Sequence, residues 1–570
     1  MATDSALRFA PDAERPERFP QPPPGHRDWY AFEALRALPR IVLMIDKNRF
    51  SETYGCFDRE FWHYRTVDFP CGMNQEFCLP LALAHSTPLP NNPYYQNERL
   101  KELVVASIEF AEKASHPDGS VDDYFPFERA LGALVFSTYA MTESYLELEV
   151  DRPDLIAFFR KRGDWLATHN ETGQLANHQA FAALALYNVY LLTRDARYLD
   201  ASNKFRDITL SWQHEEGWFQ EYEGADPGYH SCSIAFLGKL YQKSRDAKLE
   251  EPLKRAVDFA TFFMHPDGSY AGEYGSRNTY HFYPHGFEVV SQFYPEAARV
   301  AELYLQRAMP ERRRYFNDDN RMCAHYVYDW IQSWRDHNPE ARDGTLEEHR
   351  GALTQWFPGA KLLVKKTARY YAVCSLAKGG VLKVFDDHGP VLSDTGLMAK
   401  TLSGDVLVPH LVDDQHTFEL DLDAGPTIVA RGRMSRRRYP LPSPLKQMLF
   451  RGMNLSVGRF GANAVRAILQ KVLITGKPRT ESRFVREIVF SDDDVRICDT
   501  LELGDDAEVE ISSVAVGSDA TSIYVANSNT FQESVLTPWV ELDEHVGALN
   551  ARRALTFPER QVFGDADQEE

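Results

Sequence analysis

The chain has 570 residues, 44% of them apolar and 26% charged, with 63 Lys and Arg against 83 Asp and Glu and a formal net charge of −20. At about 150 residues per domain this length predicts two to four domains, and the ordinary balance of apolar and charged residues excludes a disordered, collagenous or coiled-coil chain. So acidic a chain excludes nucleic acid as its main partner, because binding phosphate needs a basic footprint.

Residues 1–95 are rich in proline, with PQPPPG at 20–25, and read as an irregular segment packed on a helical domain that begins after it. The first residues carry Asp4, Asp12, Glu14 and Glu17 and lack the basic and apolar regions of a secretory signal. No apolar run reaches the roughly 18 residues that a membrane span needs, so no membrane partner is expected. The seven cysteines are scattered without a CxxC pair, which points to free thiols in a reducing compartment and so to the cytoplasm. Residues 58–85 are dense in aromatic and basic side chains. They serve equally as a structural cover or as the wall of a sugar groove, with His63, Tyr64 and Arg65 beside the ligand.

From residue 97 the apolar period becomes helical. In 99–114, Leu100, Leu103, Val104 and Ile108 fall on one stripe. Helices with short connections continue to about 335, within a predicted helical domain over 96–350. A repeat runs through it: HPDGSVDDYF at 116–125 returns as HPDGSYAGEY at 265–274, with weaker copies at 170–178 and 215–230. The markers Asp118, Asn170, Glu216 and Asp267 are spaced by 52, 46 and 51 residues. A period near fifty predicts stacked helical hairpins. Closed on itself, the stack is an α/α toroid whose inner helices line a groove; left open, it is a solenoid. Beyond about 355 the period changes to strand-like alternation with β-branched and aromatic residues. This predicts an antiparallel β-sandwich domain over 351–570 with an acidic tail, and an α+β multidomain chain overall.

The repeat gathers polar residues. It predicts helix starts near Tyr124, Asn177, Tyr229 and His281, spaced by 53, 52 and 52 residues. Equivalent positions of a ring lie at one rim, where helix N-termini offer free N–H groups to an anion. Around them stand Arg129, His178, Glu273, Arg277 and His285, side chains that act as acids, bases and anion binders. Each has a plain structural reading: Asn177 as a helix cap, His178 as a turn residue, Arg277 as the partner of Glu273, His285 as the cap of the next helix. Their joint placement favours a site.

An Asn-His pair opening one inner helix, a Tyr 51 residues after that His opening the next, and a following β domain resemble the heparinase II/III-like and alginate-lyase-like polysaccharide lyases over about 95–540. The resemblance implies an α/α toroid bearing an antiparallel β domain and an enzyme that cleaves uronic-acid glycans by β-elimination. It implies proton transfer by Tyr229 assisted by His178, neutralisation of the substrate carboxylate by Asn177, an anionic polysaccharide or oligosaccharide as partner, and no cofactor for the chemistry. Arg277, His281, His285, Glu273, Tyr124, Arg129, His63 and Arg65 are then candidates for substrate binding. Some members of that family hold a structural metal in the β domain; here His388, His410 and His416 with Asp386 and Asp405 are loose candidates, and the metal stays open, as does the oligomeric state.

Other chemistries compete. Hydrolysis needs two carboxyl groups across the glycosidic bond, and Glu221, Asp226 and Glu273 sit in the right turns. Uronate C5 epimerisation removes the same proton as β-elimination. A non-catalytic carbohydrate-binding protein would use rows of aromatics such as Trp212, Trp218, Phe219 and Tyr222. The run RGRMSRRR at 431–438 reads either as a solvated edge or as a cationic lip for a polyanion.

Overall fold

The computed structural model describes residues 20–563 except 171–172, 311–322, 340–342, 423–424, 438–440, 442, 459–460, 463–464, 466–468, 470–475, 477, 505–508 and 519–534. The helical half consists of α1 (Asp28–Met44), α2 (Cys78–Ser86), α3 (Glu98–Ala114), α4 (Leu131–Glu147), α5 (Pro153–Thr168) and α6 (Ala176–Thr193). It continues with α7 (Ala196–Ser211), the two-residue strands β1 (Gln220–Glu221) and β2 (Gly224–Ala225), α8 (Pro227–Ser244), α9 (Glu250–Thr261), α10 (Pro284–Val290), α11 (Pro295–Leu303) and α12 (Cys323–Asp336).

The two kinds of helix differ in sequence. α6 is apolar or small nearly all round, and almost every residue from Ala176 to Val189 is buried. α9 shows a single buried stripe of Leu253, Ala256, Val257 and Ala260. A helix buried on all sides belongs inside and a one-stripe helix outside. Accordingly α2, α4, α6, α8, α10 and α12 pack in a ring that closes where α12 meets α2, and α1, α3, α5, α7, α9 and α11 wrap it. The ring is a toroid and not an open solenoid.

Its first hairpin lies in the segment expected to be irregular. Between Asp28 and Met44, Trp29, Tyr30, Leu35, Leu38 and Ile41 keep a helical period and are buried, even with Pro39 inside the helix. The prolines at 20–24 and Pro39 hide that period, because proline ordinarily argues against a helix.

The repeated turn is one structure used three times. After α3, α7 and α9 the chain folds back with His116 N to Ser120 O (2.9 Å), His214 N to Trp218 O (2.8 Å) and His265 N to Ser269 O (2.9 Å). The glycines in these turns, Gly119, Gly217 and Gly268, have φ of 86°, 101° and 78°, the left-handed region where a Cβ is strained.

The second half holds two antiparallel sheets. β3 (Leu353–Phe357), β4 (Leu362–Lys366), β5 (Tyr371–Ser375), β6 (Val381–Asp386) and β7 (Gly389–Asp394) form a meander in chain order. A ten-stranded sheet contains β8 (Gly396–Thr401), β9 (Val406–Val408), β10 (Thr417–Asp421), β11 (Thr427–Arg437), β12 (Arg479–Phe490) and β13 (Val495–Glu502). It is completed by β14 (Ile511–Gly517), β15 (Trp539–Glu541), β16 (Ala554–Thr556) and β17 (Arg560–Gln561). Every pairing among the described residues is antiparallel.

The meander is a middle layer. Alternate residues Leu363, Ala372, Cys374, Leu382 and Val384 pack on Ile428, Ile488 and Ile497 of the large sheet. Their neighbours Leu362, Val364, Tyr371, Val373 and Phe385 join the core of the toroid. A sheet covered on both faces loses the polar half of its alternation, and all five residues of β5 are buried. Phe357 closes the seam against Phe259 and Phe262, with ring centroids 5.2 and 5.1 Å apart.

Inner helices α8 and α10 cross closely at glycine: a Cβ on Gly286 would lie 2.6 Å from the Ala235 backbone. Gly286→Ala should therefore destabilise the protein by about 1–3 kcal/mol, since rigid backbone must shift. Gly547→Ala, with open space around it, should be neutral or slightly stabilising. Chemical denaturation of both variants checks this, and equal stabilities would contradict the close crossing.

Candidate active site

α6 and α8 begin side by side at one rim of the ring, and the loops leading into them are sewn together. Tyr222 N donates to Gln174 O (2.7 Å) and Ser276 N to Ala225 O (2.9 Å). The Ser276 hydroxyl donates to Glu221 O (3.0 Å). The β1–β2 hairpin is thus held from both sides.

Asp226 is the buried cap of α8. Its Oδ1 accepts from Tyr229 N (2.9 Å) and from the Thr279 hydroxyl, and its Oδ2 accepts from Arg277 N (2.7 Å). Capping a helix with a carboxylate satisfies orphan N–H groups. Here the same carboxylate also fixes the backbone of the loop that carries Arg277.

The Arg277 guanidinium lies over two rings, 4.6 Å from the Tyr222 centroid and 4.7 Å from that of Tyr229. Such cation–π contacts gain strength out of water. Burial pushes the Tyr229 hydroxyl well above its usual range, and Arg277 pulls in the opposite direction. Tyr229 therefore rests as a phenol at neutral pH. Its ring meets His281 edge-on at 5.2 Å. His281 hydrogen-bonds the Tyr326 hydroxyl through Nδ1, and burial lowers its pKa to about 3, so it is neutral.

Asn177 donates twice to Glu221 Oε1, from its backbone N (2.9 Å) and from its side-chain Nδ2 (2.8 Å). Glu221 Oε2 accepts no hydrogen bond among the described residues and stands 3.8 Å from Arg277 Nη1. Full burial pushes the Glu221 carboxyl up to about 7; Arg277 and Asn177 pull it down. His178 is half-buried on the α4 side, its ring 5.8 Å from that of Phe136.

Asn177, Tyr229, Arg277 and His281 are thus joined by contacts through Glu221 and Asp226, with His178 alongside. The other candidates lie elsewhere. Glu273 is bound at the seam with the β domain by the Tyr280 hydroxyl, Ser393 Oγ (3.3 Å) and Lys383 Nζ (3.5 Å). His285 is tied to α12 through Asp336 Oδ2 (2.7 Å) and Asp329 Oδ2 (2.9 Å). Tyr124 is exposed seven residues before α4 begins, and Arg129 pairs with Asp118. Phe127 and Arg129 adopt left-handed φ of 61° and 50°, which delays the helix and breaks the expected equivalence. His281 likewise precedes α10 by three residues. His63 and Arg65 are exposed on the turn at Glu60–Tyr64, with the His63 ring 4.8 Å from Tyr64.

The repeat also points to residues not singled out. One further step of 52 residues back from Tyr124 falls at residue 72, just before Met73–Phe77 leads into α2. There Glu76 Oε2 lies 3.1 Å from His325 Nε2 of α12, and both residues are buried in the interior of the ring.

Among the described residues no three of His, Cys, Asp and Glu gather as an ion would require. Asp386 caps the turn at His388 N (2.7 Å), Asp405 faces Arg436 (3.3 Å), and the His416 ring packs edge-on against Phe484 at 5.3 Å. Buried His410 has its pKa lowered to about 3 by burial and then by Lys378. These side chains do not fit a metal site. In the arginine run, Arg431 pairs with Glu419 (2.8 Å), Arg433 with Glu481 (3.0 Å) and Arg436 with Asp405, while Arg438 lies outside the described residues.

No protein-family model and no curated protein matches the chain. Solved structures do. Chondroitin AC lyase of Streptomyces coelicolor A3, solved with chondroitin sulphate, matches with a TM-score of 0.53 at 9% identity, over 86% of this chain and 68% of that one. A heparinase III matches with a TM-score of 0.47 at 9% identity, over 80% and 65%. An unsaturated glucuronyl hydrolase of Streptococcus agalactiae matches with 0.33 at 12% identity, over 63% and 88%. The chain shares the fold of that chondroitin lyase, an α/α toroid followed by antiparallel β layers. No helix among the described residues is long and apolar enough to cross a membrane.

The Glu221 carboxyl sets a pH dependence. Its pKa near 7 stands above the unfolded value of 4.5, so the folded state holds its proton more tightly. The resulting stability is present below about pH 4.5 and is lost as pH rises through 7, a change of up to about 3 kcal/mol. Glu221→Gln keeps an oxygen for both Asn177 donors and cannot ionise. Its melting temperature should fall less than that of the wild type between pH 5 and pH 8 (about neutral, spanning the shifted range); parallel curves would refute the shift.

Proposed function

We propose that the protein is a polysaccharide lyase that cleaves a uronic-acid-containing polysaccharide or oligosaccharide by β-elimination. One observation carries the reading: a guanidinium held over the ring of a buried tyrosine at the rim where two inner helices begin, with the Asn177 amide bonded to the carboxylate that faces that guanidinium and His178 next in the chain. β-Elimination needs those groups and no pair of carboxylates.

The C5 proton of a uronate is weakly acidic, and neutralising the carboxylate lets charge spread from C5 onto it. Arg277 and Asn177 supply the positive charge and N–H donors for that anion, interactions that strengthen as charge develops. His178 takes the C5 proton. The freed electron pair forms the C4–C5 double bond, the C4–O4 bond breaks, and the leaving O4 takes the proton of the Tyr229 phenol. The raised pKa of Tyr229 suits it to this acid half of the reaction, and Arg277 stabilises the phenolate left behind. The shared fold with a chondroitin lyase supports the class of substrate.

Hydrolysis is the second reading, favoured by Glu221, whose carboxyl near pH 7 suits a general acid. Asp226 is a poor second carboxylate for it, because one of its oxygens caps α8 and the other holds Arg277 N.

Tyr229→Phe removes only the hydroxyl and should lower turnover by about 10²–10⁴ with the fold intact. Asn177→Ala should lower kcat with little change in KM, because its contribution grows in the transition state. Ultraviolet absorbance of the unsaturated uronate, followed on a panel of uronic-acid polymers, measures both. Chain cleavage without that chromophore would establish hydrolysis, and a folded Tyr229→Phe variant with full turnover would remove Tyr229 from the mechanism.

A further inference from the structure

The donors that a substrate carboxylate needs are engaged by the chain's own carboxylate. Asn177 gives its backbone N–H and its side-chain Nδ2 to Glu221 Oε1 (2.9 and 2.8 Å). The Arg277 guanidinium faces Glu221 Oε2 at 3.8 Å. Glu221 thus stands in the cradle where a uronate would be neutralised, and it is held there. Its backbone O accepts from the Ser276 hydroxyl (3.0 Å), it pairs with Gly224 across the β1–β2 hairpin, it bridges to Leu175, and its side chain is fully buried. An arriving uronate meets Glu221 in place.

Charge then decides its protonation. Two carboxylates side by side against a single guanidinium do not both stay ionised; one proton comes to be shared between them. Oε1 already takes both Asn177 donors, so the proton belongs on Oε2, which accepts no hydrogen bond among the described residues. The titratable groups facing Glu221 are Arg277 from the loop before α10, His178 from α6, and Tyr229 and Cys232 from α8. Burial holds the Tyr229 phenol and the Cys232 thiol well above their usual ranges, so both are neutral. Burial also pushes the Glu221 carboxyl up to about 7 before any ligand arrives.

We infer that Glu221 meets the substrate as a neutral acid, its Oε2–H donating to the uronate carboxylate that Arg277 also faces. The inference rests on the β-elimination reading and adds a proton requirement to it. The proton comes from solvent as the uronate binds, lies between the two carboxyl groups through the reaction, and is released when the unsaturated uronate leaves; none is consumed. As charge spreads from C5 onto the carboxylate, the O–H···O⁻ bond strengthens, so Glu221 acts more on the transition state than on binding.

The first measurement needs no turnover. Glucuronate, galacturonate and mannuronate are each titrated into the full chain by calorimetry, in buffers of different ionisation enthalpy. Binding should take up close to one proton per site at about pH 8 and almost none at about pH 5.5, on either side of the Glu221 pKa. Glu221→Gln keeps an oxygen for Asn177 and carries a permanent N–H donor, so it should bind without proton uptake at either pH. In turnover, wild-type kcat/KM should fall about tenfold per pH unit above about pH 7. Glu221→Gln, a weaker donor, should start about tenfold lower and lack that limb, so the two profiles cross near about pH 8. Uronate binding without proton uptake, or an unchanged alkaline limb in folded Glu221→Gln, would overturn the inference and leave β-elimination standing. Failure of all three uronates to bind would overturn it too, with β-elimination still decided by the unsaturated chromophore. Cleavage without that chromophore, abolished in folded Glu221→Gln, would make Glu221 the general acid of a hydrolase and overturn both.

Discussion

The carboxylate of Asp226 is the point on which the candidate site depends. It closes the N-terminus of α8 and so sets the backbone of Tyr229, and with its other oxygen it holds Arg277 N. The Arg277 guanidinium then has one place to go, over the rings of Tyr222 and Tyr229. A buried carboxylate is costly unless its lone pairs are used. Asp226 meets that cost with backbone and hydroxyl donors and leaves the guanidinium free to face Glu221 and Tyr229.

The loop that carries Arg277 is also held from the second half of the chain. Lys378, buried in the turn after β5, donates through Nζ to Glu273 O, to Gly275 O (3.0 Å) and to Asn278 Oδ1. Burial lowers its pKa to about 8, and Glu273 and Asp226 raise it. The meander sheet therefore does more than cover the toroid. Its outer face seats the apolar seam while Lys378 and Lys383 anchor the loop between α9 and α10. A single support thus reaches from the β layers to the candidate site.

The charge of the molecule is divided in the same way. The net −20 would repel a polyanion. Arg277 is screened from that field by burial between two aromatic rings, and it carries the positive charge to the one place where Tyr229 and Glu221 need it. Glu221 remains poised near neutrality because neither Arg277 nor Asn177 fully offsets its burial.

The sequence by itself determined the hairpin period, the shift from helical to alternating patterns near residue 355 and the rim positions of Asn177 and Tyr229, because each follows from local spacing of apolar and turn residues. It did not reveal the first hairpin, where Pro39 and the prolines before Trp29 mask a helical period. Tertiary structure decided the rest. Only the closed ring sets Glu76 beside His325, 249 residues apart in the chain. Only the stitched loops separate Arg277, which enters the site, from Glu273 and His285, which the sequence places equally well and the fold commits to the β-domain seam and to α12. Local pattern specifies which way a helix face points. Which polar residues meet depends on loop paths and on partners far along the chain, and no local period encodes those.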